Sequence, residues 1–377
     1  MEPIEMRERG NRLIRWLDRY MGVPLAGLTT CMRLGCQREI PVEPKRVGVL
    51  CLGAIGDLLL LSGLINGLRR RLPSARLELL VSPANTAAVP LIPNIDGHAS
   101  FDVRHVPYLV AYVRRRHYDV LVDSSQWARL GALVCNLSGA ACTVGFATPG
   151  QYRALGYSLK VEHRADRHEL ENFLALGRAL FPDLSGEPLL RLPADMPRDA
   201  AQLPGELGRR RAFCHMWPSG YKAFLKEWTP RHWELLIRKL TERGFSVYLT
   251  GGPSDAGRNE VFLRERLPLH PHVFSLAGKM SLSGLAWLLA RADAAISVNT
   301  GTMHLAALVG APTVGLHGAT NPLRWGPIGP RTISLLPRQG QAAYLNLGFE
   351  YPDAAYPSLM HLSVEDVLAA LTSLGSL

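Results

Sequence analysis

Twice in this chain a short, strand-like run breaks into a glycine-bearing turn and then into a helical pattern. Residues 47–52 lead into Gly53-Ala54-Ile55-Gly56-Asp57 and a helical periodicity that continues to Leu72. Residues 245–250 lead into Gly251-Gly252-Pro253 and a helix that starts near Asp255. The first run has no polar alternation, and such a strand is buried on both faces, which is the condition of a parallel sheet covered by helices. Further runs of strand length at 77–81, 120–123, 212–215, 273–276, 294–298 and 313–316 alternate with helical segments such as 230–242, 283–291 and 303–309. Alternation of this kind predicts an α/β chain of βαβ units. The repeat makes it two Rossmann-like domains whose parallel sheets face a central cleft.

The 377 residues are enough for two domains, and 47% hydrophobic against 20% charged residues excludes a disordered chain. The expected organisation is an N-terminal amphipathic helix and leader over 1–44 and a first Rossmann-like domain over 45–205. A second follows over 206–340, then a tail and helix over 341–377. The Pro-, Gly- and Arg-rich stretch 182–211 reads as the linker. Residues 11–21 place Leu13, Trp16, Leu17, Tyr20 and Met21 on one face and Arg12, Arg15, Asp18 and Arg19 on the other. Such a helix either lies in a membrane interface or docks on its own domain. Gly22-Val23-Pro24 is expected to end it, with a Pro-containing stretch running to Pro44. Near the other terminus, Ser363 with Asp366 three residues on reads as the cap of a last helix.

Lys and Arg total 42 against 32 Asp and Glu, a formal charge of +10, which favours anionic partners. Dispersed arginines without a stacking motif argue against nucleic acid. The six cysteines form no C-x-x-C, so reduced thiols are expected, and the pair Cys31/Cys36 has no second Cys/His pair nearby to complete a metal site. Residues 1–10 are charged and the apolar stretch 47–65 carries Asp57, so neither a signal peptide nor a membrane span is expected.

Three turns carry candidate chemistry. Gly56-Asp57 opens a helix with backbone N–H groups free for an anion, but matches neither G-x-G-x-x-G nor a P-loop. Asp57 there is either the helix cap or a partly desolvated general base. Ser219 to Trp228 sets Lys222 and Lys226 before the helix 230–242, a place suited to a diphosphate. Asn299-Thr300-Gly301-Thr302-Met303-His304 delivers another helix N-terminus at the end of a strand.

With Gly56-Asp57, Lys226-Glu227-Trp228 and Pro230, Thr250-Gly251-Gly252-Pro253, Asn299 to Ala306, Gly310-Ala311-Pro312-Thr313 and His317-Gly318-Ala319-Thr320 in this order, residues 45–330 resemble glycosyltransferase family 9, the lipopolysaccharide heptosyltransferases. The resemblance implies a GT-B fold. It also implies inverting, metal-independent transfer of a heptose from ADP-heptose to an anionic glycolipid, with no cofactor beyond the nucleotide sugar. It implies a cytoplasmic enzyme, peripheral on the inner face of the cytoplasmic membrane. By the same resemblance Asp57 is the catalytic base and Lys226 neutralises the departing diphosphate. Gly56, Ser219, Asn299, Thr300, Gly301 and His304 lie at the donor, Asp255 on the ribose and Met280 at the adenine. Asn299 stands where the family has Asp; Asn299→Asp is expected to be tolerated by the fold and, with the family's ordinary heptose donor, to hold or improve kcat/KM. A nucleotide-sugar epimerase of the same fold and a non-catalytic relative are the alternatives. Release of ADP only when acceptor is present discriminates them.

Overall fold

The computed structural model describes residue 18, residues 20–34 and residues 41–377 other than 103, 127, 206, 207, 349 and 353. One compact unit ends at Arg191 and the other begins at Leu192. The first is built on six parallel strands, β1 (Arg46–Cys51), β2 (Arg76–Val81), β3 (Gly97–Ser100), β4 (Val120–Asp123), β5 (Cys142–Phe146) and β6 (Leu159–Val161), in the order β3-β2-β1-β4-β5-β6. The second is built on β7 (Arg210–His215), β8 (Phe245–Thr250), β9 (Val273–Ser275), β10 (Ala294–Val298), β11 (Thr313–Leu316) and β12 (Thr332–Leu335), in the order β12-β11-β10-β7-β8-β9. Counted within its own unit, the second order is the first: 3-2-1-4-5-6. In such a sheet the chain runs outward in both directions from the central pair, and ligands bind outside the strand ends where that order reverses. The reversal lies between β1 and β4 in one unit and between β7 and β10 in the other.

The helices of the first unit are α1 (Gly22–Leu34), α2 (Ile55–Arg71), α3 (Val106–Arg116), α4 (Arg129–Leu137) and α5 (Glu169–Arg178). Those of the second are α6 (Pro230–Glu242), α7 (Ala256–Arg266), α8 (Leu282–Leu289), α9 (Gly301–Leu308), α10 (Pro322–Trp325) and α11 (Val364–Ser373). Each sheet is covered by its own core. Leu50, Leu80, Leu121 and Val134 pack together in the first unit. Trp228, Trp233, Phe245, Val247, Ile296 and Val314 do so in the second. Each large apolar side chain so buried contributes about 1.5–3 kcal/mol. Val367 and Leu371 of α11 are part of this second core, and the Ser363 hydroxyl accepts the Asp366 N–H at 3.1 Å as its cap.

Residues 22–34 are helical, against the expectation that Gly22-Val23-Pro24 would end a helix and open an irregular leader. Pro24 falls in the first turn, where no N–H has an intrahelical acceptor, so it removes no bond. Tertiary contacts hold the rest. Ala26 and Thr29 are buried, and Asn136 of α4 donates from Nδ2 to Thr29 Oγ1 at 3.0 Å. Asp18 accepts the Arg129 backbone N–H at 2.8 Å and pairs with its guanidinium at 2.9 Å. The helix expected over 11–21 lies outside the described residues apart from Asp18, Tyr20 and Met21, as does Cys36. No helix among the described residues is long and apolar enough to cross a membrane.

Two glycines bring backbone against backbone around α2. A Cβ on Gly67 would lie 2.6 Å from the Ser185 carbonyl oxygen, and one on Gly186 would lie 2.0 Å from that of Gly63. Neither position has room for a side chain.

Candidate active site

The candidate residues of the first unit lie where its strand order reverses. β1 is apolar to its last residue, Cys51, and the chain then turns through Gly53 and Ala54 into α2. Asp57 sits in the first turn of that helix, half-buried, and Gly56 is buried one residue before it. The Ala54 N–H donates to Asp57 Oδ2 at 3.0 Å, the reciprocal half of a capping box. Oδ1 accepts instead from Nε2 of Gln126, at 3.1 Å. Gln126 follows β4, the strand across the reversal. The two readings of Asp57 therefore concern different oxygens: Oδ2 caps the helix, while Oδ1 looks toward the strand ends. Burial, and after it the charge of Glu169, push the Asp57 pKa up to about 6. The hydrogen bonds from Ala54 and Gln126 act against that rise.

In the second unit β7 runs into the buried Met216, Trp217 and Pro218, then into exposed Ser219 and a tight turn, 223–226, that ends on Lys226. Lys226 Nζ donates to the Ser219 carbonyl at 2.9 Å. Burial pulls its pKa down to about 8, and no acid among the described residues opposes that fall. The neighbours explain the motif. Glu227 holds Arg258 through two bonds of 3.1 and 3.0 Å, and Arg258 stacks on Trp217. Trp228 is buried in the core and donates to the Leu362 carbonyl at 3.0 Å. Thr229 accepts the His232 N–H as N-cap, and Pro230 begins α6. Lys222 adopts φ 46°, a left-handed conformation unusual outside glycine, with its ammonium over the rings of Tyr221 and Tyr351.

Across the same reversal, β10 ends at Val298 and α9 starts at Gly301. Thr300 is the N-cap residue, but its side chain makes no capping bond; it meets Ser297 Oγ at 3.2 Å. The first N–H groups of α9 therefore have no side-chain cap. Asn299 donates from Nδ2 to the Trp325 carbonyl at 2.9 Å, tying the turn to α10. An Asp at 299 would lose this bond, because a carboxylate has no proton to give that carbonyl. His304 is buried one turn into α9.

Asp255 is 2% exposed, and its carboxylate accepts the Gly252 N–H at 2.9 Å. That acid holds the shape of the Gly251-Gly252-Pro253 turn, the position at which the resemblance implies a ribose contact. Met280 is half-buried in the turn before α8, beside Ser281, the N-cap of that helix. Ser219 and Lys226 follow β7, and Asn299, Thr300 and Gly301 follow β10, the two strands that flank the second reversal; Gly56 and Asp57 follow β1 at the first. Among the described residues no group of three or more His, Cys, Asp or Glu is arranged to hold a metal ion. Gln126 was missed from the sequence. The signal that finds it is its place at the carboxyl end of the strand next to β1.

Two doubly wound parallel sheets of one strand order, each with its polar residues at the reversal, make this an α/β protein of the GT-B class. The chain belongs to glycosyltransferase family 9 (heptosyltransferase), whose pattern it matches over residues 108–346, and it is a glycosyltransferase. Lipopolysaccharide heptosyltransferase 3 of Escherichia coli is 25% identical over 291 residues, 72% of this chain and 83% of its own. Lipopolysaccharide heptosyltransferase 2 of Escherichia coli K12 is 23% identical over 353 residues, 85% of this chain and 95% of its own. The crystallised E. coli ADP-heptose lipopolysaccharide heptosyltransferase II shares the fold, with a TM-score of 0.72 at 20% identity over 87% of this chain and 98% of that one.

Proposed function

We propose that this chain moves a heptose from ADP-heptose to a hydroxyl of a lipopolysaccharide core or lipid-linked saccharide, with inversion at the anomeric carbon. The observation that carries the reading is Asp57: a carboxylate at a strand end, desolvated enough that its pKa is raised to about 6, with each oxygen already steadied by one donor. Such a group is ionised at neutral pH and takes up a proton more readily than an ordinary aspartate, as a general base must. It would accept the proton of the acceptor hydroxyl as that oxygen attacks the anomeric carbon. The bond to the β-phosphate oxygen breaks on the opposite face, and ADP leaves.

The leaving group gains negative charge as it departs. Lys226 supplies a cation with no carboxylate partner among the described residues, and the side-chain-uncapped N-terminus of α9 supplies partial positive charge. Thr300, Gly301, Ser219 and Asn299 would surround the diphosphate and sugar, with Met280 at the base. The donor assignment is supported by the names of the relatives, and the anionic acceptor by the charge of +10. Exposed Tyr20, Met21, Leu25 and Leu28 support a site at the inner face of the cytoplasmic membrane.

Incubation with ADP-heptose and lipopolysaccharide acceptors tests the reading. ADP should appear only when acceptor is present, and EDTA should leave the rate unchanged. ADP release without acceptor, or a strict need for a divalent ion, would refute it.

A further inference from the structure

Gln126 has no part in the family pattern quoted above, yet it is 5% exposed and is the only described side chain that donates a hydrogen bond to Asp57. The loop that carries it is held unusually firmly. Its backbone carbonyl accepts from the Thr148 hydroxyl. One residue earlier, the Ser125 carbonyl accepts from Nη1 of Arg153, and the Ser125 N–H donates to Asp123 at 2.9 Å. Arg153 is 1% exposed, and its Nη2 reaches both Asp123 and, at 2.8 Å, the Tyr157 hydroxyl. That hydroxyl in turn donates to Asp123 at 2.5 Å. A completely buried ion pair is a costly way to gain stability, so its retention needs another reason. Here the reason is visible: every arm of the cluster ends on residues 123–126.

We propose that Gln126 is the positioning residue of the catalytic base: anchored by the Asp123–Arg153–Tyr157 cluster and Thr148, its amide aims Asp57 Oδ1 and sets how readily it takes a proton. The proposal rests on Asp57 being the base. With Oδ2 fixed by the helix turn and Oδ1 fixed by Gln126, the carboxyl plane cannot rotate, and one lone pair of Oδ1 remains for the acceptor hydroxyl. The other ionisable groups around Asp57 are accounted for. Cys51 at the end of β1 is a buried thiol pushed up to about 12, hence neutral. Asp123 at the end of β4 is paired with Arg153. Glu169 at the start of α5 is paired with His163 at 3.1 Å. That leaves the Gln126 amide as the neutral group in direct contact with the reacting carboxylate.

The test is the pH profile of kcat/KM together with the carboxyl titration of Asp57 followed by isotope-edited infrared spectroscopy, in Gln126→Leu and in the near-isosteric Gln126→Glu. Loss of the donor makes the carboxylate harder to form, so in Gln126→Leu the acid limb and the infrared titration should both move up by about one pH unit. In Gln126→Glu two carboxyls share one proton, and the limb should move up further. ADP affinity should stay at the wild-type value in both. If Gln126→Leu does not fold, Gln126→Glu alone decides. A folded variant with the wild-type limb and titration overturns the proposal. Asp57→Asn, run alongside, separates the two ideas: an active Asp57→Asn sinks the base assignment itself, whereas an inactive one with unshifted Gln126 variants sinks only the role of Gln126.

Discussion

The two units share one strand order and place their polar turns at the same topological point, but the charges there have opposite sign. The first unit presents a carboxylate that burial has made reluctant to ionise. The second presents an ammonium that burial has made reluctant to stay protonated. In both, desolvation is the largest cause, and in neither is the charge neutralised by a neighbour of opposite sign among the described residues. On the proposed reading, one topology used twice would serve two tasks, taking a proton and receiving an anion. The lesson is that sheet order fixes where chemistry occurs, and the residue at the turn fixes which chemistry.

Removing the carboxylate should break the comparison most severely. Asp57→Ala should lower kcat by about 10²–10⁴ while ADP binds as before. A kcat near wild type would leave Asp57 as a helix cap and the first unit without its task. On the other side, Lys226→Ala should weaken ADP by about 1.5–3 kcal/mol, as expected for a lost charged hydrogen bond. Because an anion stabilises the protonated amine, ADP binding slightly above pH 8 should take up protons in the wild type. Calorimetry in buffers of different ionisation enthalpy should show that uptake vanish in Lys226→Ala.

The buried carboxylate also has a stability signature, with a definite sign. Its folded pKa, about 6, lies above the ordinary 3.8, so the folded state holds the proton more tightly than the unfolded chain. The stability this lends is complete below about pH 4 and is lost as pH rises through about 6. Asp57→Asn should therefore be more stable than wild type by about 1–3 kcal/mol at neutral pH and not at about pH 3.5. Denaturant melts at the two pH values would show it, and equal stabilities at neutral pH would contradict the desolvation argument. The smallest effect is expected at position 299. Asn299→Asp should lower kcat/KM about tenfold through loss of the bond to the Trp325 carbonyl, with the melting temperature little changed. An unchanged or higher kcat/KM would show that this tie does not shape the site.

Much of the fold is legible in the chain because central parallel strands are continuous apolar runs. The readings at 120–123, 245–250, 294–298 and 313–316 coincide with β4, β8, β10 and β11. Of the four edge strands only β9 is legible, as the run 273–276. Gly97–Ser100 alternates between half-buried and exposed and reads GHAS, while Leu159–Val161 and Thr332–Leu335 are only partly covered, so their apolar signal fades. β5 is buried throughout, yet it is not among the runs read from the sequence. At the site, Asp57 and Lys226 stand out locally because each follows a strand at a turn. Gln126 lies 69 residues from its partner and Glu169 joins through another helix, relations that exist only once the sheet is assembled. The capping role of Asp255 is hidden for a similar reason: its spacing from Gly252 suits a ligand and a capping turn equally well, and only the assembled turn shows the bond to the Gly252 N–H.

The glycines that seat α2 have a bearing on how such an enzyme can change. Because Gly67 and Gly186 press backbone on backbone, the helix that carries Asp57 is clamped at a fixed height and angle, and no side-chain swap along it can lean it toward a differently shaped acceptor. New acceptor preferences must then arise in the connecting segments beyond the strand tips. Directed-evolution libraries built on those segments will be productive, and libraries built along the seated helix will be depleted.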